Sequence, residues 1–288
     1  MGFNSLKDYV EAANDSGQTY FATFLKTANV QTTAGCWFDY TSGSGLPAAN
    51  YYPSSPLTSA LLGQKYGIYA GEAVAPKTKY ISKIQASTQN GNSAPMSLMI
   101  CDYLLYYPFI DMDETNEQVF TNSVSLPRYT DGSKVKAMLV AQGAYTGGAT
   151  FTIKYTNELG VSGRVSRVCT SNTGTRAFSL ITGNAIGGSA TANVYGPFIP
   201  LQSGDFGIRS VQSITFSSPN GGIAALVLCV PIANGLINEV GTTHEKDFFK
   251  DGASLPVVAD GAILGLIVNA ATNMAANSMT GHLEFIWG

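Results

Sequence analysis

Charge is the scarcest property of this 288-residue chain: Asp, Glu, Lys and Arg together make up 12% of it, about half the ~25% usual in soluble domains. The net charge is −3 and no Lys/Arg cluster occurs, so the electrostatic footprint for a phosphate backbone is missing and no nucleic-acid partner is expected. Histidine is nearly absent. Only His244 and His282 occur, too few and too unspecified to supply the positioned base of Ser-His-Asp chemistry. Four cysteines, Cys36, Cys101, Cys169 and Cys229, contain no CxxC pair, and Cys101 and Cys229 each close an apolar run as small buried hydrophobes do. Long apolar runs are missing too. The longest, Ile223 to Ile232, falls short of the ~20 residues of a membrane helix, and the segment from Met1 to Lys7 has no signal-peptide h-region. The expectation is a cytosol-made chain without a membrane partner or structural disulfides. Phosphate-binding, zinc and nucleotide motifs are absent, so no cofactor and no metal is expected.

Apolar residues at 45% and aromatics at 11% exceed what a disordered chain carries, while Gly, Ser, Thr and Asn take the place of charge. Such a thinly charged surface suits a protein covered by neighbouring subunits, and equally a β-sandwich with Ser/Thr-rich outer faces. The strongest pattern is a repeat. SLPRYTDG, from Ser125 to Gly132, returns as SLPVVADG, from Ser254 to Gly261, at an offset of 129. Upstream, YISKIQ ending at Gln85 and GIRSVQ ending at Gln212 lie 127 apart, and LMIC ending at Cys101 and LVLC ending at Cys229 lie 128 apart. Landmarks in one order at nearly one offset imply two copies of a domain-sized unit of roughly 125 residues.

Residues 1–30 stand outside the repeat. Ser5 can cap a short helix with Asp8 three residues on, and Leu6, Tyr9, Val10 and Ala13 share one face before Gly17 ends it. Thr19 to Phe24 then alternates aromatic with small or polar residues, like an extended arm. Helix and arm could dock on a neighbouring subunit or fold back on their own domain. Beyond them, short strand-like segments recur at Tyr66–Tyr69, Tyr80–Ser87, Met96–Tyr107, Gln118–Val124, Val135–Ala141 and Thr150–Tyr155. Apart from the N-terminal helix, nothing sustains 3.6-residue periodicity over a dozen residues, so long helices are excluded. Phe151 to Val168 reads as strand, turn, strand, a hairpin joining the copies. The predicted fold is therefore all-β: two tandem duplicated β-sandwich or jelly-roll-like domains, residues 31–155 and 156–288, preceded by a short N-terminal helix and arm.

The repeated Ser-Leu-Pro and Asp-Gly element reads as a corner. Pro enforces an extended approach, and Asp-Gly is turn chemistry leading into a buried strand. The acidic run Asp111 to Glu117 lacks the Gly bend of a calcium loop. The densest aromatic patch, YLLYYPFI from Tyr103 to Ile110, has only Val230-Pro231-Ile232 as its counterpart. Aromatics of this kind serve interfaces or cores. The candidate interface contacts are Leu6, Tyr9, Val10, Tyr20, Phe21, Phe24, Tyr103, Tyr106, Tyr107 and Phe109, and no catalytic residue is assigned.

With GFNSLKDYV and TYFATFLKT near the start, AGCWFDYT, YTNELGVSGRVS, SGDFGIRSVQS, and SLPVVADG with HLEFIWG at the end, the chain resembles the capsid decoration or cement proteins of tailed bacteriophages. The resemblance implies a β-sandwich or jelly-roll virion protein, usually trimeric, made in the host cytoplasm and seated on or between capsomers. Its partners would be the major capsid protein and itself, and it would not be an enzyme. Three tandem pairs would present six similar modules to the lattice. On that reading, removing residues 1–25 abolishes capsid binding and leaves the sandwiches folded. A rival reading is a tail adhesin with a glycan site among exposed aromatics. A surface-polysaccharide hydrolase would need paired carboxylates, for which only Asp102, Asp111 and Asp113 stand as candidates.

Overall fold

Ser5 caps the first helix as its spacing predicts, its hydroxyl accepting from the Asp8 amide at 3.2 Å, and α1 (Leu6–Asn14) follows. The computed structural model describes residues 2–28, 30–89, 93–172, 176–182, 196–252, 254–274 and 277–288. After α1 come β1 (Thr19–Thr27), β2 (Trp37–Asp39), β3 (Ser44–Leu46), β4 (Ala60–Leu61) and β5 (Ile68–Tyr69). The first repeat supplies β6 (Lys79–Thr88), β7 (Met96–Asp111), β8 (Gln118–Val119), β9 (Lys136–Ala141) and β10 (Thr150–Asn157). Two short strands follow, β11 (Arg164–Val165) and β12 (Cys169–Thr170). The second repeat supplies β13 (Ile208–Phe216), β14 (Ile223–Ile237), β15 (His244–Asp247), the short helix α2 (Phe248–Gly252), β16 (Val257–Val258), β17 (Ile263–Ala270) and β18 (Ser278–Trp287).

The described strands form three antiparallel sheets, so the chain is all-β as predicted. A central sheet runs β2-β17-β7-β14-β9, with β4 on β7 and β5 on β17. A first outer sheet runs β15-β6-β18-β1-β3, with β16 on β6, and a second runs β11-β10-β13-β8, with β12 on β10. Every sheet mixes both repeats. β6 pairs with β18, β10 with β13, β9 with β14 and β17 with β7. The segments 31–155 and 156–288 are thus sequence repeats that exchange strands, a point that the sequence leaves open.

The exchange follows an internal two-fold. Asp102 pairs directly with Val230, Cys101 with Pro231 and Cys229 with Tyr103. Asp102 and Val230 are 128 positions apart, the same offset as Cys101 and Cys229, so the dyad passes between equivalent residues. Ile84 opposite Leu283 matches Val211 opposite Tyr155 in the same way. Three register shifts break the β7·β14 ladder, one of them at Pro231, which has no N–H to donate.

Side chains alternate across a strand, and the register shift between Tyr103 and Leu105 resets that alternation, so β7 serves two cores on one face and a third behind it. Met96, Leu98 and Ile100 meet Phe24, Ile81, Ile84, Leu283 and Phe285 beneath the first outer sheet. Further along the strand, Leu105, Tyr107 and Ile110 meet Leu139, Phe151, Ile153 and Ile214 beneath the second. Cys101, Tyr103 and Tyr106 point the other way, to Tyr52, Met138, Val140 and Val227. A strand buried on both faces reads as a continuous apolar run, which is how β7 and β14 read. All four cysteines are buried and free, and burial pushes the Cys36 and Cys169 thiols up to about 12.

Of the two alternatives for the N-terminal segment, the structure shows the one that folds back on its own chain. Thr19 to Thr27 is β1, in register with β18 over its whole length. The expected corner does form twice: Gly132 and Gly261 take φ of 78° and 73°, and each leads into an apolar strand, β9 or β17. Only glycine adopts that conformation at no steric cost.

Candidate interaction surfaces

Most of the aromatic patch faces inward. Tyr103, Tyr106 and Tyr107 are buried, and each hydroxyl has a partner: Asp39 Oδ1 at 2.8 Å, the Pro53 carbonyl at 2.9 Å and Asn122 Oδ1 at 2.7 Å. Phe24 is likewise in the first core. These four are core residues, a correction to their assignment as contacts. Phe109, beyond Pro108, turns out to solvent at a φ of 55°.

Tyr103 belongs to a buried polar knot that holds the 41–56 loop over the back of the central sheet. Asp39 Oδ2 accepts from Tyr52 Oη at 2.5 Å and Ser42 Oγ at 2.9 Å, and Oδ1 accepts from the Thr41 amide at 2.9 Å. Lys26 donates to the Thr41 and Pro47 carbonyls at 3.3 and 2.8 Å. Burial lowers the Lys26 ammonium to about 8, with Asp39 opposing the shift. Buried charges persist only with such pairing, and the knot fastens a loop.

Helix α1 lies against its own chain. Tyr9 stacks on Phe249 at 4.5 Å, and Phe3 meets both Tyr9 and Tyr80. Ala12 is buried, while Leu6 and Val10 face solvent, so the predicted face is split. On β1, Tyr20 packs on Tyr69 and Phe285, whereas Phe21 and Leu25 project outward, Leu25 directly opposite the exposed Leu46 of β3.

A surface that the sequence reading did not single out caps the second outer sheet. Leu159, in the turn between β10 and β11, is 76% exposed, and Phe206, before β13, is 72% exposed. The two loops are tied together, because Glu158 Oε2 accepts from the Phe206 and Gly207 amides at 3.2 and 2.9 Å. Arg209 donates to the Glu158 carbonyl from Nε and Nη2 at 3.0 and 2.6 Å and to the Asp131 carbonyl at 3.0 Å. Asp205 accepts from Tyr155 Oη at 2.5 Å, Asn157 Nδ2 at 2.9 Å and Arg164 in a bidentate pair at 2.9 and 3.0 Å. The available signal was one large apolar residue inside each of two polar, Gly-bounded turns, ELG and DFG.

The tip is therefore a rigid apolar protrusion on an ionic footing. Hydrogen bonds from Arg164, then from Tyr155 and Asn157, hold the Asp205 carboxyl at about 2. A folded pKa below the unfolded value of ~3.9 adds stability above that value, and the gain is lost as pH falls through about 2. Asp205→Asn is expected to lower urea-unfolding stability at pH 7 by ~1–2 kcal/mol, allowing for solvent screening. The deficit should shrink as pH falls below ~4. A deficit independent of pH would exclude the ionic footing.

Two further exposed aromatics share one anchor. Gln142 accepts from the Phe109 amide at 3.0 Å and donates to the Tyr51 carbonyl at 2.9 Å. Asp102 is enclosed with Arg128, whereas Asp111 and Asp113 sit in a turn, where Asp111 Oδ1 accepts from the Asp113 amide and Asp113 Oδ1 from the Gly221 amide.

No protein-family model matches the chain, and no curated protein does. Among solved structures, the chain is similar to that of the Gt strain of infectious bursal disease virus at 7% identity, over 94% of this chain and 82% of that one, with a TM-score of 0.16. It is similar to the VP2 subviral particle of the same virus at 7% identity, over 93% and 80%, with a TM-score of 0.15. For the Gx strain the identity is 10%, over 95% and 83%, with a TM-score of 0.17. At such values the paths of two chains do not coincide.

Proposed function

We propose that the protein is a structural component of a virion, made in the host cytoplasm and bound to the outside of a capsid, where it decorates or cements capsomers. Its activity is binding rather than catalysis, and its partners are the major capsid protein and further copies of itself, three to an assembly. The supporting observation is the tip: two large apolar side chains held out from a sheet by a network of ion pairs and hydrogen bonds. Rigid apolar anchors in exposed positions are what interfaces desolvate, and ordering costs little when the anchor is already fixed. The sparse charge of the rest of the surface serves the same end, and the strand-exchanged core makes the subunit a stiff brace.

Leu159→Asp combined with Phe206→Asp is expected to weaken association with shells by at least ~10-fold, while unfolding stability stays within ~0.5 kcal/mol, as for other exposed positions. Co-sedimentation with empty shells and light scattering of the free protein measure the two parts. Unchanged co-sedimentation of the folded variant would remove the tip from the proposal.

A tail adhesin remains the second reading, favoured by Tyr51 and Phe109, two exposed aromatics anchored on Gln142. Gel quantitation of purified particles separates the two readings. Hundreds of copies per particle fit a cement protein, and a few fit an adhesin.

A further inference from the structure

β1 is paired along one side only for much of its length. β18 covers all of Thr19 to Thr27, but on the other side β3 reaches only Leu25, Lys26 and Thr27 before Pro47 follows it. The direction of the free groups is fixed by neighbours. The Leu25 and Thr27 carbonyls abut Gly45 and Gly43 on the β3 side, whereas the Phe24 carbonyl accepts from Thr280 and the Ala28 amide donates to Asn277 on the β18 side. Backbone groups alternate between the two sides of an antiparallel strand, so the N–H and C=O of Phe21 and Thr23 point to the open side. No partner for them occurs among the described residues.

That side is not a flat edge. A groove of about 560 Å³ runs along it, with Tyr20, Phe21, Ala22 and Thr23 as one wall and residues 64–69, bar Tyr66, together with Leu46 and Pro47 as the rest. Its volume lies within the ~300–1,000 Å³ range of binding clefts. Four consecutive strand residues span ~13 Å, the length of a short extended peptide. The one charged side chain of the lining is Lys65, whose ammonium lies 4.8 Å from the Tyr66 ring centre and has no carboxylate partner among the described residues.

We infer that the open edge of β1 is a strand-addition site for an extended segment of a partner protein, apolar at alternate positions and carrying a carboxylate opposite Lys65. Phe21 and Thr23 supply two donors and two acceptors to the added strand, and the walls take its alternate side chains, the division of labour of β-augmentation. Exposed edges of this kind are normally blunted by bulges, Pro or charge. Here β3 stops short and the edge from Tyr20 to Thr23 stays open beside an apolar wall. The inference rests on this geometry alone and stands whether or not the assembly is a virion.

The test pans a display library of seven-residue peptides on the full-length protein and measures the selected consensus by fluorescence anisotropy. The expected consensus alternates apolar residues and contains Asp or Glu. Thr23→Pro removes an outward N–H at a position where an edge tolerates Pro and should weaken binding at least 10-fold. Lys65→Glu, on an exposed side chain, should weaken it similarly and turn the selected charge to Lys or Arg, with the melting midpoint unchanged. Methylating alternate amide nitrogens of the peptide should abolish binding without touching the protein. Three results would overturn the inference: the same peptides selected on the Lys65→Glu protein, full affinity of the methylated peptide, or a wild-type dimer in sedimentation equilibrium that Thr23→Pro dissociates. The last result would give the edge to a second copy of the chain.

Discussion

Arg128→Ala is expected to destabilise the protein by ~3–5 kcal/mol in urea unfolding, because it strands a buried carboxylate at the centre of the molecule. Asp102 is fully buried, and Arg128 meets it with Nε at 2.8 Å and Nη2 at 2.6 Å while also donating to the Tyr103 carbonyl at 3.1 Å. The Ile263 amide completes the shell at 3.1 Å. The second repeat shows what the same place looks like without charge, since Val230 is the equivalent of Asp102 and Val257 that of Arg128. The double change Asp102→Val with Arg128→Val should therefore restore most of the loss, to within ~1–2 kcal/mol of the wild type, as apolar replacements of buried pairs do. The remaining deficit is the Ile263 amide left without an acceptor. Burial raises the Asp102 carboxyl, with the hydrogen bonds from Arg128 opposing. A folded pKa above the unfolded one favours the folded state at low pH, so stability from this group falls as pH rises through the folded value. Without Arg128 the value rises further, and the Arg128→Ala deficit should be smaller at pH 5 than at pH 8. A double variant as unstable as the single one would mean that the pair, rather than the uncompensated charge, carries the effect.

That pair also marks where sequence reasoning reached its limit. The duplication was legible because its landmarks, Cys101 and Cys229 or Gly132 and Gly261, sit on strands and turns whose chemistry both copies need. The all-β class and the hairpin between β10 and β11 followed from strand spacing and turn residues in the same way. Strand exchange was not legible, because period-2 alternation in β6 or β10 is the same whether the strand pairs within its own repeat or across to the other. The tyrosines of β7 misled for a related reason: an apolar run with aromatics describes an exposed patch and a two-faced central strand equally well. Only Phe109, set off by Pro108, reached the surface. In the N-terminal helix the cap was readable, but the docked face was not, since Phe3 and Tyr9 find Tyr80 and Phe249 from far along the chain. Leu159 and Phe206 were overlooked because each is a single residue in a turn, and their association depends on Glu158 reaching across to the other loop.

Deleting residues 1–27 is expected to abolish cooperative folding, where the sequence alone suggested that removal of residues 1–25 would spare the sandwiches. β1 pairs with β18 along its whole length and with β3 at Leu25 to Thr27. Its inward residues Ala22 and Phe24 fill the first core, and Lys26 holds the loop that begins at Thr41. Loss of Phe24 alone should cost ~3–5 kcal/mol, against a total stability of ~5–15 kcal/mol for a protein of ordinary robustness. The deletion also removes a ladder of nine residue pairs and leaves β18 with a long bare edge, a template for aggregation. Deleting only residues 1–14 makes the contrast. It removes α1 and the stacking of Tyr9 on Phe249, worth ~0.5–1.5 kcal/mol beyond area burial, and leaves every sheet complete. The short truncation should melt cooperatively within a few degrees of the full chain, and the long one should give a broad or absent transition and rapid proteolysis. A cooperative transition for residues 28–288 near the full-length midpoint would show that β18 closes the sheet without β1, and would return the N-terminal segment to the role of a detachable arm.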